Sequence, residues 1–198
     1  MSVFRNLDRQ LRSEGSSQAL ALFLVSLLLG LAFSWSGNPL VPNESWFTIE
    51  TLSGAGLTLL APYHAARSWS VDPPAAAASC LMLVFIWLTS VPFRLAAFAA
   101  SHPAASLGLS ITLDLVFSVA LYGLCLLLGR LLPKARWLAL PLGLLTVILL
   151  TAADELLPYR LFNPFPGATA ADWPVTAVWS AAAVLTGVWL FGRLGRQK

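Results

Sequence analysis

Six long apolar runs separated by short polar or proline-rich breaks organise this chain of 198 residues. They fall at about residues 19–35, 46–66, 75–100, 104–128, 137–153 and 173–191. Each approaches the roughly 20 apolar residues that a helix needs to cross a hydrocarbon layer. Ahead of them, Val3, Phe4, Leu7 and Leu11 recur at helical spacing, while Arg5, Arg9 and Arg12 fall opposite with Asp8 and Gln10. A cationic face set against an apolar one predicts a short helix lying in the headgroup layer. Ser13–Ser17 reads as a hinge of small residues that lets the chain turn into the first run.

The expected fold is therefore all-α: one polytopic domain of six transmembrane helices preceded by an amphipathic interfacial helix. Ala32-Phe33-Ser34 has the small-x-small pattern of a signal-peptide cleavage site. The region before the first run is long and carries Asp8 and Glu14, so that run reads as an uncleaved anchor. The second run is the least oily, with Glu50, Gly54, Thr58 and Ala61 on one face. Small residues there let helices approach closely in lipid. Tyr63–Pro74 reads as a short connection holding His64, Arg67 and Asp72. Residues 154–172 contain Pro158, Pro164 and Pro166, too many for one continuous helix, and Tyr159, Phe162 and Phe165, too many aromatics for a plain solvated linker. That stretch predicts a folded hairpin at a membrane surface.

Composition agrees with the pattern. Charged residues make up 11% of the chain against 58% hydrophobic, and the mean hydropathy is +0.76. Soluble domains carry about 25% charged residues, so lipid must be the solvent for most of this surface. The net charge of +3 is too small and scattered to suggest nucleic acid. Its distribution is informative. Arg5, Arg9, Arg12, Arg67, Arg130, Lys134, Arg136, Arg193, Arg196 and Lys198 fall on one side of a six-span layout, and only Arg94 and Arg160 on the other. The bias of basic residues toward the cytoplasm places both termini inside, in a multi-pass protein of the inner (plasma) membrane. Trp35, Trp46, Trp69, Trp137 and Trp173 fall near run ends, where interfacial aromatics gather.

Candidate chemistry is sparse. Glu50, Arg94 and Asp114 are ionisable residues inside apolar runs, where charge is expensive and marks a functional candidate. At 1.5 Å per residue they lie roughly 6, 9 and 15 Å below the outer boundary, on three different helices. Arg94 is expected to pair with Asp114 or Glu50. Three readings stay open: a structural ion pair that fixes helix register, the polar lining of a substrate path, and a proton or ion relay. No GxxxxGK[ST], HExxH, GxSxG or CxxC pattern is present, so no catalytic residue and no cofactor is assigned. Gly54-Ala55-Gly56 is explained by packing. Cys80 and Cys125 lie in apolar runs as small core residues, and His64 and His102 fall on opposite sides of the layout, so no metal site is expected.

The layout resembles that of type-2 ABC exporter permeases. An interfacial helix at Val3–Arg12, six spans, a short cytoplasmic connection at Tyr63–Asp72, an outer hairpin around Asn163-Pro164-Phe165 with Tyr159, and a basic tail at Arg193–Lys198 follow one another in that family's order. Residue-level likeness is confined to Leu156–Lys198. The resemblance implies a cytoplasmic ATP-binding partner touching Arg5, Arg9, Arg12, Arg67 and Trp69, and a homodimer or a heterodimer with a related permease within membrane lipid. Many members carry an acidic-basic-Gly-Thr signature after the second span, where this chain has His64-Ala65-Ala66-Arg67-Ser68-Trp69. A substrate-capture subunit of an ECF-type uptake system, or a non-transporting scaffold or assembly protein, would share the same span count.

Overall fold

A computed structural model of the chain describes residues 3–11, 14–35, 44–66, 73–101, 107–154, 156, 161–162 and 173–194. The described residues form α1 (Val3–Leu11), α2 (Glu14–Trp35), α3 (Glu44–Ala66), α4 (Pro73–Ser101), α5 (Leu107–Leu131), a single 3-10 turn (Arg136–Leu138), α6 (Ala139–Asp154) and α7 (Trp173–Leu194). There is no strand among them. The helices track the apolar runs to within a few residues, because a buried or lipid-facing backbone must satisfy its hydrogen bonds internally.

Three helical stretches are long and apolar enough to cross a membrane: Pro73–Ala99 in α4, Leu107–Leu131 in α5 and Trp173–Leu190 in α7. Ser16–Gly30 in α2 and Ala139–Asp154, the whole of α6, are apolar but shorter.

Two expected boundaries are corrected. The hinge at Ser13–Ser17 is largely absorbed into α2, which begins at Glu14. One glycine at a helix start costs only about 1 kcal/mol against alanine, too little to break so long a helix. The connection expected from Tyr63 begins instead after Ala66, since α3 carries Tyr63 and His64 in its last turns. His64 and Ala65 are buried there rather than exposed in a loop.

The bundle is built around α5, which buries residues along its whole length from Ser110 to Gly129. One core joins Ala61 and Ala65 of α3, Ala76, Cys80 and Leu83 of α4, and Val147, Val175, Trp179 and Leu190 of α6 and α7 to Leu113–Leu126 of α5. The alanine run at Ala76–Ala78 is wholly buried. Its small side chains let Tyr122 of α5 reach across and donate its hydroxyl to the Ala76 carbonyl at 2.7 Å. A second core joins Phe23 and Leu27 of α2, Ile49 and Leu57 of α3, and Met82, Ile86 and Ala97 of α4, with Leu7 of α1 packed against it. Gly56 belongs to that contact, since a Cβ there would lie 2.5 Å from Cε2 of Phe23. Packing thus accounts for Gly56, and Cys80 and Cys125 are buried thiols outside any disulfide. The outward faces of α2, α6 and α7 remain apolar, with Leu22, Leu28, Ile148, Leu149, Leu185 and Val188 exposed. So much exposed aliphatic surface suits lipid rather than water.

Candidate functional site

Glu50 of α3, Arg94 of α4 and Asp114 of α5 meet where these three helices pack together. Local spacing aims them. Glu50, Ser53, Gly54 and Leu57 lie on one face of α3 at helical intervals, and Ser110, Asp114 and Ser118 form a stripe along α5 at every fourth residue. Gly54 faces the Asp114 carboxylate across the α3–α5 contact, and a Cβ there would meet its oxygens at 3.7 and 3.8 Å, an ordinary van der Waals contact. Trp87 of α4 donates its indole N–H to the Ile111 carbonyl of α5 at 2.9 Å, which fixes α4 against α5 near the cluster.

Arg94 is fully buried, 0% exposed. Its guanidinium bridges both carboxylates. Nη2 donates to Asp114 Oδ2, and Nη1 lies 3.3 Å from Glu50 Oε1. Nη1 also reaches the Ser110 hydroxyl at 3.4 Å, and that hydroxyl donates to Glu50 Oε2. Ser118 returns its hydroxyl to the backbone carbonyl of Asp114 one turn earlier. The Glu50 side chain, 14% exposed, is the most accessible of the three ionisable groups. Arg94 Nε and Glu50 Oε1 have no hydrogen-bond partner. A planar fork suits this task, since one guanidinium can hold two separate carboxylates while an ammonium offers a single point charge.

The pairing expected as Asp114 or Glu50 is thus both at once. Ser110 was not anticipated. Its place four residues before Asp114 was the available signal, but a serine inside a membrane-like helix more often bonds its own backbone. Asp154 was read only as part of the hairpin. It is buried at the end of α6, and its carboxylate accepts the N–H of Leu161 at 3.0 Å and of Phe162 at 2.8 Å. The Phe162 carbonyl in turn accepts the indole N–H of Trp179 at 3.0 Å, and Trp179 stands edge-on to Phe117 with ring centres 4.8 Å apart.

Of the residues expected at an ATPase contact, Arg5 is exposed on α1. Arg12, Arg67, Trp69 and the side chain of Arg9 lie outside the described residues, as do Tyr159, Asn163, Pro164 and Phe165 of the hairpin. Between α5 and α7 an apolar groove of about 290 Å³ is lined by Gly123, Leu127, Leu185, Thr186 and Trp189. Arg130 covers the Trp189 ring at 4.6 Å. Comparison of the chain with family models, with curated proteins and with solved structures finds no match.

Proposed function

We propose that this chain is a multi-pass inner-membrane protein whose helices α2–α7 cross the bilayer with both termini in the cytoplasm. In this reading it is the membrane-embedded subunit of an ABC-type exporter and works with a separate cytoplasmic ATPase. The observation that carries the reading is α1. It is a short amphipathic helix seated through Leu7 against the core shared by α2, α3 and α4, with Arg5 turned outward. It lies on the side that the ten basic residues mark as cytoplasmic. A chain without a nucleotide-binding motif moves substrate uphill only when another chain supplies hydrolysis, and an exposed basic helix at the cytoplasmic surface is a place for that chain to dock.

Two measurements test it. Single cysteines placed in a background lacking Cys80 and Cys125 should react with an impermeant reagent from outside at Ser45 and Thr169, and only after permeabilisation at Ser13 and Ser68. Labelling of Ser68 from outside overturns the six-span arrangement. The ATPase should copurify with the wild-type chain and be lost on joint charge reversal at Arg9 and Arg67. Retention of the ATPase by that variant would discard the proposed interface.

A further inference from the structure

The triad has one cation for two carboxylates. With both carboxylates ionised it would hold a net charge of −1 in an interior where charge must be paired. The described side chains around it offer no second cation. On α3, Tyr63 and His64 lie about 20 Å farther along the helix, and on α5, Arg130 lies about 24 Å away. Cys80 of α4 lies about 21 Å from Arg94 along its helix, and Tyr122 and Cys125 of α5 lie about 12 and 17 Å from Asp114. Arg5 and Asp8 of α1 are exposed. Asp154, at the end of α6, has its oxygens engaged by the Leu161 and Phe162 amides.

We propose that Glu50 and Asp114 hold one exchangeable proton between them, with Glu50 as its main carrier and Ser110 as its partner in both states. Asp114 takes the direct charge-assisted bond from Arg94, which favours its anion. Glu50 has the weaker hold, an Nη1 contact at 3.3 Å without hydrogen-bond geometry. A hydroxyl both donates and accepts. Ser110 therefore donates to Oε2 while Glu50 is ionised and accepts from Oε2–H once it is protonated. The proton comes from bulk water and returns to it, reaching the triad by way of Glu50, its most accessible member. Arg94 Nε, wholly buried and without an acceptor, offers an N–H for a water oxygen on that route. The direct Arg94–Asp114 pair leaves Glu50 as the member through which the proton enters and leaves.

The test is infrared difference spectroscopy of the full-length purified chain at neutral pH, reading the C=O stretch of a protonated carboxyl group. The wild type should show one such band. Glu50→Gln should remove it, and so should Asp114→Asn, because each leaves Arg94 facing a single carboxylate. Replacing sodium and potassium by choline should leave the wild-type band unchanged. Absence of the band in the wild type overturns the proposal, and this arm requires no variant to fold. Survival of the band in both variants overturns it as well. So does a band that appears only when sodium and potassium are withdrawn, which would assign the missing charge to a metal cation.

Discussion

Asp114 and Asp154 are both buried carboxylates, on neighbouring helices of one bundle, and they are held in opposite ways. Asp114 sits within α5 and is neutralised by a charged side chain from another helix. Asp154 ends α6, where the helix itself presents carbonyl oxygens and partial negative charge. Backbone N–H groups of Leu161 and Phe162 answer it there. Amides are neutral and permanent donors. They satisfy a carboxylate without raising any question of charge balance, and they tie the following chain to the end of α6. Through the Phe162 carbonyl, Trp179 and Phe117, that tie continues to α7 and α5. Arg94 instead brings a charge that must be matched, and it is matched twice. The Asp154 arrangement is a latch; the triad is a balance that a single proton or a single substitution tips.

The comparison can be broken most severely at Arg94. Arg94→Leu leaves Glu50 and Asp114 together without a cation. Removing one partner of a buried ion pair costs about 3–5 kcal/mol, so the purified chain should unfold at a much lower temperature. Arg94→Lys should recover only part of the loss. A wild-type melting curve for Arg94→Leu would mean that the triad is hydrated and energetically idle.

Next comes the contrast between a pair and a triad. If Arg94 and Asp114 were partners alone, removing both by Arg94→Ala/Asp114→Ala would restore most of the yield lost in either single variant. With Glu50 bound to the same guanidinium, the double variant strands Glu50, so recovery should be incomplete until Glu50→Gln is added. Full recovery in the double variant would show that Glu50 carries no charge once Arg94 and Asp114 are gone.

The latch should fail more gently. Asp154→Ala leaves two amides without their acceptor, and a hydrogen bond to a charged group is worth about 1.5–3 kcal/mol. The change should show mainly as faster hydrogen exchange at Leu161 and Phe162. Asp154→Asn, which keeps one oxygen acceptor, should fall between. Unchanged exchange at both amides in Asp154→Ala would show that the latch does not hold that segment. The smallest effect should come from Ser110→Ala, which removes one hydroxyl but leaves both ion pairs in place, a loss of about 1 kcal/mol in thermal stability. A loss as large as that of Arg94→Leu would make the serine, rather than the arginine, the centre of the cluster.

These two regions also show what was legible in the sequence. Helix positions were, because long apolar runs leave the backbone no other way to satisfy itself in lipid. That Arg94 would find an acidic partner on another helix was legible too, because Glu50, Arg94 and Asp114 stand in apolar runs, where an isolated charge is costly. The double engagement of Arg94 was not, since spacing along a helix fixes a face but not the rotation that points two faces at one guanidinium. Asp154 was obscured for a related reason. Its partners are amides seven and eight residues away across a bend, and backbone donors leave no mark in side-chain identity. His64 was misplaced because its neighbours Arg67 and Asp72 look like a solvated connection, whereas the helix carries it one turn deeper into the core.

The length of α6 has a consequence for the lipid itself. Its 16 residues make a rod about 24 Å long at 1.5 Å per residue, against a hydrocarbon layer of about 30 Å, while the neighbouring α5 has 25. For α6 to serve as a span beside α5, the bilayer has to pinch in along that flank, with Trp137 anchored at the rim. The protein would then deform its membrane asymmetrically and would gather on the thinner patches of a membrane that varies in thickness. Chain length of the surrounding lipids would act on this molecule as a mechanical load applied to one side of the bundle.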